Sequence, residues 1–136
     1  MAARTLPALI GTTENTLRSL LSHLLKDTKV TGYTEWVYLN ISCTSDDHDK
    51  VDQLVAAELN QSIADVAVTR QQLGAKGLID AVGGLTPLGH DQLLRGRNLV
   101  LAITEKLTHG IQKEQLEVTA QVLDTIRHRA NQELLA

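Results

Sequence analysis

Residues 51–89 read VDQLVAAELNQSIADVAVTRQQLGAKGLIDAVGGLTPLG, and this stretch decides the architecture. Val51 to Leu59 carries apolar residues at helical spacing and stops at the turn pair Asn60-Gln61. Ser62 follows as an N-cap, and the pattern predicts a second helix from Ile63 to about Lys76. Two short helices joined by a tight turn form a helix-turn-helix. Gly77 then supplies a helix stop, Leu78-Ile79 a short extended segment and Val82-Gly83-Gly84-Leu85 a turn, so the helix pair leads into a β-hairpin of minimal size. Thr86-Pro87 opens the next helix with proline at its first position, where the missing N–H costs nothing.

On the N-terminal side, Leu6, Leu9, Ile10, Leu17, Leu20, Leu21, Leu24 and Leu25 recur at three- and four-residue spacing, predicting an amphipathic helix from Thr5 to about Lys26, with a break expected at Gly11-Thr12-Thr13. A shorter helix is predicted with Thr34 as its N-cap, carrying Trp36, Val37, Leu39 and Ile41 and ended by the polar stretch Thr44 to Asp49. On the C-terminal side one helix is expected from Pro87 to Thr108 and, beyond Gly110, another from Gln112 to Leu134. The last carries Leu116, Val118, Val122, Leu123 and Ile126 along one side. The expected organisation is a single mainly α domain over 1–136. Residues 34–88 form its helix-turn-helix core, 87–108 a linking helix, and 1–30 and 110–136 dimerisation helices whose apolar surface exceeds what the small core can cover.

Composition bounds the chemistry. The chain has 136 residues, 43% of them hydrophobic, with no Phe and with Trp36, Tyr33 and Tyr38 as its aromatics, so its core is aliphatic and suits interlocking helices. A net charge of -3 excludes a protein that coats nucleic acid through bulk positive charge, while leaving room for a local basic patch. Cys43 is the sole cysteine, which excludes an intrachain disulfide and a multi-cysteine metal site and suits a reducing compartment. The opening Met1-Ala-Ala-Arg-Thr leads into no apolar run of signal or membrane length, so a cytoplasmic location and no membrane partner are expected. No phosphate loop, nucleophile elbow or paired acid and base is present, and neither catalysis nor a cofactor is expected.

The element order and the strings Thr34-Glu35-Trp36-Val37-Tyr38-Leu39, Lys76-Gly77-Leu78-Ile79 and Leu85-Thr86-Pro87-Leu88-Gly89 resemble the MarR family of winged helix-turn-helix regulators, named for multiple-antibiotic-resistance regulation. The last is similar to the family's Leu-Thr-Pro-x-Gly and falls at the right distance after a Gly-Leu-Ile. The resemblance implies a winged helix-turn-helix with long N- and C-terminal dimerisation helices and a very short β-hairpin wing. It also implies a homodimeric repressor that binds double-stranded DNA and answers to a small-molecule effector. Two departures stand out. Family wings carry an Asp-Arg-Arg-like strip where this chain has Asp80-Ala81-Val82-Gly83-Gly84, and the second helix opens with Ala64, Asp65, Ala67 and Val68 where base and phosphate contacts are usual.

The candidate DNA contacts are therefore Ser62, Thr69, Arg70, Gln71, Gln72 and Lys76, with Arg95 and Arg97 on the following helix either touching the backbone or solvating their face. Asp46, Asp47, Asp49, Asp52, Glu58 and Asp65 lie against a single Lys50 between residues 46 and 65 and would repel phosphates. Trp36 and Tyr38 are the candidate ligand contacts, weighed against plain core packing. Asp46-Asp47-His48-Asp49 has the atom types of a metal site, but consecutive loop residues cannot converge on one ion, and the reading is a solvated loop with helix-start acids. Cys43 has no basic neighbour in sequence and reads as a small buried hydrophobe. An alternative use of the same fold is a protein-interaction dimer that has lost DNA binding and works through the Ala64, Ala67 and Val68 surface.

Overall fold

The computed structural model describes residues 5–136, so the first four residues of the expected N-terminal dimerisation segment lie outside the described residues. Among these residues the elements are α1 (Leu6–Leu24), α2 (Gly32–Thr44), a 3-10 turn (His48–Lys50), α3 (Val51–Leu59), α4 (Ile63–Ala75), α5 (Pro87–Thr108) and α6 (Lys113–Leu135). One antiparallel bridge, Ile79 to Leu85, is the whole of the β-structure described, in keeping with a minimal hairpin. Leu85 pairs in that bridge rather than in the turn, which spans Asp80 to Gly84 and is closed by Asp80 N–H to the Gly84 carbonyl at 2.9 Å. No helix among these residues is long and apolar enough to cross a membrane.

Two compact units are present, one running to Ala102 and one spanning Ile103–Ala136. The first contains the hydrophobic core. Leu39, Val51, Val55, Val66, Leu73 and Leu78 are fully buried in it, joined by Tyr38, Leu25 and Leu93. α2 sits at its centre and buries Glu35, Val37, Tyr38, Leu39 and Ser42, which point in several directions around its axis. A helix covered on more than one side loses the single apolar stripe that sequence reading relies on.

Two expectations about helix ends need correction. α1 runs without a break through Gly11, because the hydroxyls of Thr12, Thr13 and Thr16 donate to the carbonyls one turn back, at 3.0, 2.7 and 3.0 Å, and stay compatible with helical backbone. The cap of α2 lies three residues before the expected one: Thr31, not Thr34, precedes its first turn. The cause is remote in sequence. The Glu35 carboxylate accepts the Thr31 N–H at 2.9 Å, and Lys76, at the end of α4, donates to Glu35 Oε1 (2.7 Å), Thr31 Oγ1 (2.7 Å) and the Lys29 carbonyl (3.1 Å).

The string Leu85-Thr86-Pro87-Leu88-Gly89 has a structural explanation. Thr86 donates its hydroxyl to the Gly77 carbonyl at 2.6 Å and accepts the Gly89 N–H at 3.0 Å, so one side chain closes the hairpin and caps α5. Gly89 lies against the Leu78 backbone, where a Cβ would come 2.0 Å from the Leu78 carbonyl oxygen. Gly77, at φ +75°, ends α4 with the Leu78 N–H returning to the Leu73 carbonyl at 3.0 Å.

The second unit has a different character. α6 starts with a capping box between Gln112 and Gln115, yet none of its residues is buried. Leu116, Val118, Val122 and Leu123 remain between 38% and 56% exposed.

Candidate nucleic-acid interface

The second helix of the helix-turn-helix, α4, is built to present a fixed surface. Ser62 accepts the Asp65 N–H at 3.1 Å and caps the helix, while Asn60 in the left-handed region turns the chain between α3 and α4. Val66, Thr69 and Leu73 face inward and are buried. Outward stand Ile63, Ala64, Asp65, Val68, Arg70, Gln71 and Gln72, all exposed.

The candidate contacts separate into three groups. Ser62, at the cap, and Arg70, Gln71 and Gln72, along α4, are exposed. Thr69 is 6% exposed, and its place in the core removes it from any surface for DNA. Lys76 is turned back onto the protein, its side chain 30% exposed and its ammonium engaged at the start of α2, a structural role that its sequence position does not show. On α5 the two arginines divide in the same way. Arg95 is exposed, whereas Arg97 donates to Asn40 Oδ1 at 3.0 Å, and Asn40 in turn donates to the Trp36 carbonyl at 2.8 Å.

Arg70 is exposed but not unengaged. Its Nε–H donates to Asp52 Oδ2 at 3.0 Å, and the other oxygen of the same carboxylate accepts the Tyr38 hydroxyl at 2.7 Å. Burial, together with the neighbouring Asp52 carboxylate, pushes the Tyr38 phenol well above its ordinary range, so it stays a proton donor throughout neutral conditions. Asp52 is legible in the sequence as one of the acids of the helix-turn-helix; its hold on a residue 18 positions away is not.

The hairpin is tied back rather than projected. Ser42 of α2 donates to the Gly83 carbonyl at 2.6 Å, and Asp80 Oδ1 accepts the N–H groups of Val82 and Gly84, both at 3.0 Å. The His48 ring lies against Gly84, where a Cβ would meet its Cε1 at 3.0 Å. No Lys or Arg occurs from Gly77 to Leu94, so the wing offers no cation to a minor groove.

Between this hairpin, the 3-10 turn, α3 and α4 opens a cleft of about 300 Å³ lined by Tyr38, His48, Asp49, Asp52, Arg70, Ala81, Val82 and Gly83. Tyr38 reaches this cleft, but Trp36 does not share it. The indole packs instead on α5, where a Cβ on Gly96 would come within 2.5 Å of Trp36 Cζ3. The two aromatics expected to act as a ligand pair therefore serve different neighbourhoods, because positions two residues apart on α2 point to different sides of the helix. Cys43 is part-buried against the core. Asp47 caps the 3-10 turn by accepting the Asp49 N–H at 3.0 Å.

No family model matches the chain, and no curated protein does. Solved structures do. A MarR family protein of Mycobacterium tuberculosis, in complex with salicylic acid, superposes with a TM-score of 0.69 at 18% identity, covering 90% of this chain and 98% of that one. A Listeria innocua protein of unknown function superposes with a TM-score of 0.64 at 19% identity, over 88% of each chain. With its helix-turn-helix, its one-bridge hairpin and these superpositions over most of its length, the chain has the MarR-like winged helix-turn-helix fold.

Proposed function

We propose that this chain is a dimeric transcriptional regulator that places α4 in the major groove of DNA and answers to a small effector. The observation that carries the reading is the Ser62-capped α4, which stands at the surface of a winged helix-turn-helix with Arg70, Gln71 and Gln72 exposed along it. Glutamine side chains suit adenine edges and arginine suits guanine or phosphate, so the three form a small but chemically sufficient reading set. Arg95 supplies a backbone contact from α5.

Dimerisation is supported by the unpartnered apolar residues of α1 and α6. Leu6, Leu9 and Leu17 are each 45–50% exposed, and α6 buries none of its aliphatic residues. A second copy of the chain supplies the cover and sets two α4 helices on successive half-sites. The effector reading rests on the 300 Å³ cleft, which touches both α4 and the hairpin, and on the salicylic acid bound by the Mycobacterium tuberculosis neighbour. A ligand in that cleft would lie beside Arg70.

A salt titration of fluorescence anisotropy tests the DNA reading, using a duplex from the promoter region of the chain's own gene and an unrelated duplex. Selective binding that falls steeply with salt is expected, with Arg70→Ala weakening it and flattening its salt dependence by about 0.9 for each phosphate no longer neutralised. A second reading, the interaction scaffold, is favoured by Ile63 and Val68, 50% and 53% exposed in the first half of α4 where polar groups would serve DNA better. Absence of binding to either duplex at low salt, with and without salicylate, selects the scaffold.

A further inference from the structure

Arg70 is the one arginine or lysine within α4, and the structure does not leave it free. Its guanidinium bonds to Asp52, a residue of α3, across the gap between the two helices of the helix-turn-helix. That carboxylate is anchored from behind by Tyr38, which is 1% exposed. The asymmetry of the pair matters. The Arg70 side chain is 46% exposed and can swing outward, whereas the Asp52 side chain is 21% exposed and held by a phenol that cannot follow.

We propose that Asp52 is a restraint on DNA binding: it competes with phosphate for Arg70, so the chain engages DNA only by exchanging one anion for the other. This rests on the regulator reading and assigns that regulator a control residue. A guanidinium pairs with a carboxylate or a phosphate through the same donors, so the two partners exclude one another at Nε. Outward movement of Arg70 also leaves the Asp52 charge facing the incoming backbone, against which Tyr38 alone is a weak compensation. Asp49 and His48 line the same cleft, and neither is the carboxylate partner of Arg70, which makes Asp49 the natural control for removal of charge alone.

The test compares full-length wild type with Asp52→Asn, Asp49→Asn, Arg70→Ala and the Asp52→Asn/Arg70→Ala double variant, by anisotropy on the promoter duplex across a salt series. Asp52→Asn is expected to tighten binding about fivefold to tenfold and to steepen the salt slope, because no carboxylate is then uncovered to take back a cation when Arg70 reaches its phosphate. Asp49→Asn should do neither, and Asp52→Asn should gain nothing in the Arg70→Ala background. Tyr38→Phe keeps the carboxylate but removes the hydroxyl that compensates it once Arg70 leaves, and should weaken binding modestly, the opposite direction to Asp52→Asn, which guards against misfolding of the Asn variant.

A gain that persists without Arg70, or one that Asp49→Asn matches, reduces the effect to bulk charge and overturns the proposal. Weaker binding by Asp52→Asn also overturns it, since Asp52 would then position Arg70 for DNA. Wild-type binding with no gain in the variant refutes the restraint alone. Failure of every protein to bind either duplex at low salt refutes the regulator reading and the restraint together.

Discussion

The unit running to Ala102 and the helix α6 both carry aliphatic residues at helical spacing, yet the first buries Leu39, Val51, Val55, Val66, Leu73 and Leu78 completely and the second buries nothing. Apolar periodicity is the same kind of signal in both. What differs is whether other elements of the chain cover the stripe. In the core, α2, α3 and α4 supply one another's cover, and the result is self-sufficient. α6 has the stripe without a cover among the described residues, and under the proposed dimer a second copy would supply it.

The self-sufficient half can be broken most severely at Gly89. Gly89→Ala drives a Cβ into the Leu78 carbonyl, backbone against backbone, and is expected to cost about 3 kcal/mol or more in urea unfolding, at any protein concentration. Gly11→Ala, where a Cβ meets nothing within 4 Å in α1, should instead stabilise by up to about 1 kcal/mol. A mild Gly89→Ala would mean that α5 can slide on the hairpin, and the core would be less tightly specified than its burial shows.

Next in size is Lys76→Ala, expected to cost about 3 kcal/mol because it leaves the Glu35 carboxylate, 4% exposed, without its cation. The same variant should leave DNA affinity nearly unchanged once stability is restored, for instance by low temperature. A DNA defect larger than about threefold in the folded variant, some 0.7 kcal/mol, would return Lys76 to the interface.

A matched pair sharpens the contrast directly. Leu73→Ala, fully buried, should cost about 2–5 kcal/mol independent of concentration. Val122→Ala, 46% exposed, should cost within about 0.5 kcal/mol in dilute solution and progressively more as concentration rises. Equal concentration dependence in the two would erase the distinction between them.

The smallest effect is alkaline. The Tyr38 phenol is held above its ordinary value of 10.0 in the folded chain, so between that value and the folded one the native state binds more protons than the unfolded state. Stability is therefore complete below about pH 10 and declines as pH rises further. Tyr38→Phe removes this component of the decline, which thermal unfolding at about pH 9 and about pH 11 would reveal.

Much of the fold is local in origin and readable from the chain. Ser62 as a cap, Asn60-Gln61 as a turn, Gly77 as a stop and Pro87 at the first position of α5 each act within a few residues of themselves, and each stands where the chain chemistry requires it. The departures are non-local. Thr31 displaces Thr34 as the start of α2 because of Lys76, 45 positions away, and Trp36 packs beside Gly96 of α5 rather than lining the cleft that Tyr38 reaches. The candidate interface is legible in residue type but not in availability. Arg70, Lys76 and Arg97 look alike in sequence as cations near α4, but Asp52, Glu35 and Asn40 engage them in three different ways.

Sedimentation velocity of the full chain, alone and with the labelled promoter duplex at low salt, tests the dimeric-regulator reading most directly, because it senses the covering of α6 and the engagement of α4 at once. Two copies of the chain are expected in free solution and two copies on one duplex, with a Val122→Asp variant sedimenting as one copy and losing the duplex. A wild-type chain that stays single while its core remains folded, or a dimer that never shifts the duplex, would contradict it.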